Sequence, residues 1–293
     1  MKLSIVIVSY NTRELLVDCI NSIEKNLNKY SYEIIVVDNA SADGSAVLLG
    51  EKYPNIKLIE NFYNAGFAKA NNQGLAVSSG EYILLLNSDT VILGEALENL
   101  IAFMDTQPEA AICGPKLLNS NMTLQLPCRR GFPRFVNSVS HFMRLDKLFP
   151  KSKVLGSYLM TYMDSSIDHE VDAVSGACML VRRNVLNTVG GLLDETYFMH
   201  FEDIDLCFRA KEHGYKVFYV HNSEVIHLKG QSSKLRSEGV TRNFFDSALI
   251  YFKKNYIKEN FIAYAAMVLI IMCMKFFAII LIKIKSSGER KLE

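Results

Sequence analysis

Apolar residues at the start of the chain fall in short runs, separated by stretches where they recur at helical intervals. Leu3–Ser9 is too short for a buried helix and predicts a first strand. Asn11 is placed to cap the next helix, with Glu14 completing a capping box, and Leu16, Ile20, Ile23 and Leu27 follow at helical spacing. Glu33–Asp38 and Ile56–Ile59 predict the second and third strands, with a helix between them from Asp43 or Ser45 to near Pro54. Asn64–Ser79 reads as helical in its later half, and Glu81–Leu86 as a fourth strand buried on both faces. Leu97, Leu100, Ile101 and Met104 mark another helix, and Ala111–Gly114 begins a fifth strand. This βαβα order predicts an α/β fold, a Rossmann-like, mostly parallel central sheet with flanking helices.

The middle of the chain is less regular. Residues 115–168 hold Pro127, Pro133, Pro150 and a basic cluster, Arg129, Arg130 and Arg134, suited to an acidic lipid headgroup, a lipid-linked diphosphate or plain solvent. Order returns at Val171–Val174 and Ala177–Val181, then in a helix over Glu202–Glu212 ended by Gly214, a strand over Lys216–Val220 and a helix over Glu238–Lys254. Phe261–Ile282 is apolar except for Lys275 and about long enough to cross a bilayer. A mid-span lysine costs roughly 3 kcal/mol there, less if it snorkels. A single span, a helix or broken pair in the interface, and a soluble covering helix all fit; membrane association is favoured, without a choice between the first two.

Composition narrows the class. A formal net charge of +1 gives no bulk attraction to nucleic acid. None of the six cysteines sits in a C-x-x-C pair, so buried cytosolic thiols are expected. The apolar N-terminus lacks a cleavage pattern and reads as a strand, not a signal peptide.

Chemistry collects where strands end, the edge at which open α/β sheets bind ligands. The fourth strand runs into Asn87-Ser88-Asp89, and a carboxylate there suits a divalent cation bridging a diphosphate; a polar turn is the plainer alternative. The first strand ends in Ser9-Tyr10-Asn11 and the second in Asp38, which can accept hydrogen bonds from a pyrimidine N–H or a ribose hydroxyl. Asp43 and Ser45 fit helix capping better than ligand contact. In Asn64-Ala65-Gly66-Phe67, Gly66 permits close backbone approach, while Asn71 and Asn72 are poor helix formers that call for hydrogen bonds to a ligand or a neighbouring loop. No P-loop or G-x-G-x-x-G pattern is present.

Taken together, Ile5–Asn11, Val37-Asp38-Asn39-Ala40-Ser41, Asn64–Ala68 and Leu86-Asn87-Ser88-Asp89 resemble the family 2 glycosyltransferases, most closely a rhamnosyltransferase-like branch. Val174–Arg183 is similar to that family's acceptor-side strand, Gly190–Glu195 through Glu202–Leu206 to its glutamate–aspartate segment, and His227 to its C-terminal metal histidine. The resemblance covers residues 3 to about 235. It implies a GT-A fold, a nucleotide-sugar donor and Mn²⁺ or Mg²⁺. Asn87-Ser88-Asp89 takes the place of the family's D-x-D, with an amide for the first carboxylate, so the metal falls to Asp89 and His227. Ser9, Tyr10, Asn11, Asp38, Asn64, Gly66, Asn71, Asn87 and Ser88 become donor-binding candidates. Lys229, Lys234 and Arg236 become candidates to neutralise the departing diphosphate.

The chemistry of transfer agrees with the resemblance. It needs a base for the acceptor hydroxyl, a cation on the leaving diphosphate, and alignment. Asp203, at the start of a predicted helix whose dipole favours the carboxylate, is the candidate base; Glu202 and Asp205 are alternatives within the same turn, ordinary N-terminal helix charge is the plainer reading of all three, and Glu202 is also suited to orienting the base or the acceptor.

The expectation is an inverting transferase on the cytoplasmic face of a membrane, in cell-surface polysaccharide synthesis. Its acceptor would be a saccharide or lipid-linked glycan. The donor would be deoxythymidine-diphosphate rhamnose, or else a uridine-diphosphate hexose or galactofuranose. A nucleotidyltransferase would carry a glycine-rich loop after the first strand, and Ser9–Arg13 has none. An inactive scaffold has no use for Asp89, Asp203 and His227 together. The expected division is a catalytic domain over 1–235, with a nucleotide-sugar half to about 114 and an acceptor half after it, then a helical linker over 236–260 and a hydrophobic segment with a basic tail over 261–293.

Overall fold

Buried strands set the architecture. The structure is a computed structural model and describes residues 1–228, 238–257 and 261–289. Strand β1 (Leu3–Ser9) is followed by α1 (Arg13–Asn26), β2 (Tyr32–Asp38), α2 (Ser45–Lys52), β3 (Lys57–Glu60) and α3 (Phe67–Ala76). Next come β4 (Tyr82–Asn87), β5 (Thr90–Ile92), α4 (Ala96–Thr106) and β6 (Ala110–Leu118). The less regular middle contributes β7 (Arg129–Arg130), α5 (Phe135–Phe142), α6 (Leu145–Leu148), β8 (His169–Val171) and β9 (Ala173–Val174). The chain then forms β10 (Cys178–Arg182), α7 (Glu202–Glu212), β11 (Lys216–His227), α8 (Glu238–Tyr256) and α9 (Phe261–Glu289).

Nine strands form one sheet in the order β3-β2-β1-β4-β10-β6-β11-β5, with β8 on β11. The β3-β2-β1-β4 half is all parallel, while β10 runs antiparallel between β4 and β6. Ser9 pairs with Asp38 and Val8 with Asn87, so the parallel register brings three polar strand ends level on one edge. The strands behind them are almost wholly buried, and each buried Leu or Ile contributes roughly 1.5–3 kcal/mol. The polar edge therefore stands on a rigid platform.

Two local expectations change. Helix α1 starts after Thr12 with no side-chain cap. Asn11 lies in left-handed backbone instead, where its Oδ1 accepts from Ala42 N and its own N–H donates to Ser41 Oγ, clamping the β1 and β2 tips together. Within the expected linker, Glu238–Tyr256 is helical and packs on the preceding domain: Phe245, Ala248, Tyr251 and Phe252 are buried, Ser247 donates to the Met199 carbonyl, and Lys254 pairs with Asp194 and Asp205. All six cysteines are free thiols, five of them buried.

Candidate active site

The edge above β1, β2 and β4 divides its polar groups between stitching and reception. Ser9, Thr12 and Ser88 form a buried hydroxyl chain, 3.1 Å and 2.8 Å between oxygens, that ties the β1 tip to the β4 tip. Asn64 Oδ1 accepts from Gly66 N, closing a turn. Gly66 has φ +84°, and a Cβ there would come within 2.6 Å of the Phe198 carbonyl, so its side-chain-free face receives the 198 loop. Asn72 exchanges hydrogen bonds with Leu193 and Glu195, which accounts for that residue inside a helix. Asn71 donates to the Phe67 carbonyl. Most of these groups are committed to the fold, but Asn71 Oδ1 is buried with no partner among the described residues. Asp38 shares this feature: one carboxylate oxygen accepts from Ser41 N, and the other is buried with no partner among the described residues. Leaving a buried acceptor unmet is costly, and at a ligand-binding edge the missing donor is most simply a ligand's. Tyr10, the residue after the β1 end that pairs with Asp38, is exposed.

Beyond β4 the chain turns sharply into β5, which pairs with the end of β11, and this meeting joins Asp89 to His227. His227 Nε2 lies 3.3 Å from Asp89 Oδ1 and 3.4 Å from Asn87 Nδ2, while Leu228 N donates to the Asp89 carbonyl. His227 Nδ1 faces Gln125 Oε1 at 3.0 Å, and Gln125 Nε2 donates to the His227 carbonyl at 2.6 Å. With Nδ1–H donated to an amide oxygen, Nε2 carries the lone pair on the Asp89 side. Gln125 was not foreseen: it sits 102 residues from His227 in an irregular segment, and no local pattern marks it.

Helix α7 supplies the third group. Asp203 Oδ2 accepts from Arg130 Nη2 at 2.6 Å and from Gly176 N at 2.9 Å, and Oδ1 accepts from Ile204 N at 2.8 Å. Burial by itself raises the Asp203 carboxyl, but the Arg130 guanidinium and the backbone donors outweigh it and hold the group below the usual carboxylate range. Glu202 is pushed up, first by burial and then by the Asp203 charge beside it, and its Oε2 has no hydrogen-bond partner among the described residues. Asp205 is fully buried against Arg209, Lys254 and Tyr197, so it anchors the helix. Just before Glu202, His200 and Phe201 both adopt positive φ, a strained conformation for non-glycine residues. Rings of α8 hold them: Phe244 against both and Tyr251 against Phe201.

Hydrogen bonds link the two centres. Gly176 N binds Asp203, its neighbour Ala177 accepts from Asn87 N through its carbonyl, and the Asn87 side chain faces His227. Asp203, Asp89 and His227 thus belong to one edge. The basic cluster does not stay together. Arg129 is buried, stacked on Tyr219 and bonded to the Met163 carbonyl, because β7 pairs with β9 and turns it inward. Arg130 is taken by Asp203, and Arg134 alone is exposed. Of the readings left open for this cluster (headgroup, lipid-linked diphosphate or solvent), Arg129 and Arg130 follow none as a surface group, since both side chains are engaged within the fold. Lys229, Lys234 and Arg236 lie outside the described residues.

The family model for glycosyl transferase family 2 matches residues 4–190. The chain belongs to that family.

An N-acetylglucosaminyl-diphospho-decaprenol L-rhamnosyltransferase of Mycobacterium tuberculosis is 28% identical over 211 residues, covering 68% of this chain and 67% of the relative. A poly(ribitol-phosphate) beta-glucosyltransferase of Bacillus spizizenii is 41% identical over 102 residues, 33% of this chain and 16% of that protein. Among solved structures, a mannosyltransferase from Pyrobaculum calidifontis in complex with GDP-Man and Mn²⁺ superposes with TM-score 0.59 at 16% identity, over 88% of this chain and 65% of the other. Staphylococcus aureus TarS 1-349 in complex with UDP gives 0.54 at 19% identity, over 85% of this chain and 66% of the other. The fold is the GT-A fold expected from the sequence, and the protein is a family 2 glycosyltransferase.

Proposed function

We propose that this family 2 glycosyltransferase is inverting and metal-dependent. In this reading it moves L-rhamnose from a deoxythymidine-diphosphate donor to a saccharide or lipid-linked glycan at the cytoplasmic face of a membrane, in cell-surface polysaccharide synthesis. The observation that carries the mechanism is the Asp203 carboxylate, kept charged and fixed by Arg130 and Gly176, and linked through Gly176-Ala177 to Asn87 at the β4 tip, beside the Asp89–His227 pair. Asp203 takes the proton of the acceptor hydroxyl. The oxygen attacks the anomeric carbon from the face opposite the diphosphate, which breaks the bond to the leaving oxygen and inverts the centre. Glu202, favoured in its protonated form by burial, donates a hydrogen bond that orients the acceptor. Asp38 receives the nucleoside through its open oxygen, with Tyr10 flanking. The donor sugar rests on the branch resemblance and on the mycobacterial relative's name.

The residues fit a divalent cation. Asp89 Oδ1 and His227 Nε2 are 3.3 Å apart, close enough to reach one ion, and an imidazole with a carboxylate suits Mn²⁺ better than Ca²⁺. Among the described residues no third His, Cys, Asp or Glu joins them, which leaves coordination positions for diphosphate oxygens and water. When bound, the ion neutralises charge on the leaving diphosphate.

The test is a screen of the purified full-length chain against nucleotide sugars with Mn²⁺, scored by nucleoside diphosphate release. The deoxythymidine-diphosphate rhamnose reaction is expected to be fastest. A uridine-diphosphate hexose or galactofuranose in its place would replace the donor assignment and keep the mechanism, and binding without turnover of any donor would indicate a scaffold.

Arg130 is a positioning residue with a pH signature. Removing its charge in Arg130→Gln lifts the Asp203 pKa. The base works deprotonated, so the acid limb of kcat/KM should move to higher pH by about one unit or more. The rate lost at neutral pH should return on the alkaline side, and Arg130→Lys should shift the limb less. A lowered rate with an unmoved limb would make Arg130 purely structural.

A further inference from the structure

Helix α9 is apolar on two sides, and the fold covers only one. Met267 and Ile271 are buried and Met274 and Ala278 pack against the core, a stripe at helical spacing facing the domain. Leu269, Phe276 and Ile284 form an opposite face, each about three-fifths exposed. The polar residue in the middle of the helix does not reach that face: Lys275 Nζ pairs with Asp246 of α8 at 2.5 Å. Eight residues further on, Lys283 lies 4.0 Å from Glu238, eight residues back along α8. These two pairings make α8 and α9 an antiparallel hairpin. Its α8 arm carries Arg242, Asp246, Lys253 and Lys254 and is bolted to the active-site half through Lys254 and the Phe201 cluster. Tyr264–Ile284 is long and apolar enough to span a bilayer, but lying in-plane is the arrangement that keeps its packing along α8.

The exposed face continues onto the acceptor half. Phe142 of α5 lines one open hollow of about 530 Å³ with Phe245 of α8 and with Leu269, Cys273 and Phe277 of α9, so the two surfaces share a side. Around it the α5–α6 segment exposes Met143, Leu148 and Phe149. The exposed charges of residues 134–154 are all positive: Arg134, Arg144, Lys147, Lys151 and Lys153, while the one acid, Asp146, is buried against His141. On the α8 side the acids Asp246 and Glu238 are paired with Lys275 and Lys283 of α9, and the α5–α6 border carries exposed cations alone, a pattern that matches an anionic bilayer surface.

We propose that the outward face of α9 and the α5–α6 segment together dock in-plane on a bilayer carrying anionic headgroups, with α9 lying in the interface. In the chain, α5 begins five residues after Arg130, the partner of Asp203. The docking geometry stands whichever sugar is transferred.

The chain contains no tryptophan, which makes depth measurable. Single variants Leu269→Trp, Phe276→Trp, Ile284→Trp and Phe149→Trp are added, as full-length protein, to vesicles of phosphatidylcholine with phosphatidylglycerol, and fluorescence quenching by lipids brominated at different acyl positions is read. In-plane docking gives all four one shallow depth, about 5–10 Å below the headgroups. Omitting phosphatidylglycerol should weaken vesicle binding by about tenfold or more, since each cation near the surface adds favourable binding energy. Residues 269 and 284 are separated by roughly 22 Å of helix. A crossing helix would therefore bury position 276 deepest, leave 269 and 284 near opposite surfaces and spare 149, which overturns the proposal. So does an absence of quenching, whether light scattering then shows a dimer closed over this face or a monomer, and so does binding indifferent to the anionic lipid.

Discussion

Asp203→Asn is expected to lower kcat by roughly 10²–10⁴, the range typical of a lost general base, while the donor Kd stays within about twofold. The amide cannot take a proton from the acceptor hydroxyl. It can still accept one hydrogen bond from Gly176 N or Arg130, and the Asp38 and Asp89 regions are untouched. The substitution leaves the buried Arg130 short of a charge partner, which destabilises the local fold, so donor affinity serves as the control for folding. Glu202→Gln sharpens the result. Burial and the Asp203 charge already favour the protonated form of Glu202, which glutamine imitates, so that variant should keep most of its rate at neutral pH. A near-normal Asp203→Asn rate together with a dead Glu202→Gln would exchange the two roles.

The order of elements was legible wherever one period dominated. β1, β2 and β4 are apolar runs closed by polar tips, and α7 begins at Glu202 and ends before Gly214 as its charges and glycine suggest. The position of β10 was not: an antiparallel strand between β4 and β6 is a choice of pairing, and alternation of apolar residues carries no strand order. Polar residues at the tips were harder still. Asn11, Asn64 and Gly66 carry the signature of turn chemistry, and the hydrogen bonds they make within the fold are of that kind. What separates Asp38 from them is the absence of a neighbour for one oxygen, a three-dimensional fact. Arg130 shows the same gap from the other side. A run of arginines in a proline-rich segment reads as a solvated or lipid-facing surface, yet the pairing of β7 with β9 turns one inward onto Tyr219 and lays the next against Asp203, 73 residues along the chain.

Replacing His227 with Ala should raise the Mn²⁺ concentration for half-maximal activity by about tenfold or more, because the imidazole proposed as a ligand is lost outright while Asp89 remains. At saturating Mn²⁺ much of kcat should return, since Asp203 and its donors are unchanged. Gln125→Leu tests the same centre from outside: it removes the amide oxygen that fixes the His227 tautomer, and support of that kind is worth about 10–100-fold in metal affinity. Asn87→Asp works in the opposite direction. The Asn87 side chain lies 3.4 Å from His227 Nε2, so a carboxylate there adds a negative charge beside the ion and should tighten manganese binding. It should also hold the leaving diphosphate less firmly, because more of the ion's charge is already answered by protein. A manganese titration by electron paramagnetic resonance, run without donor, reads all three variants independently of turnover. Identical curves for His227→Ala, Asn87→Asp and the native chain would show that the pairing of Asp89 with His227 serves the fold alone, and the diphosphate's charge would then have to be met by side chains elsewhere on the same edge.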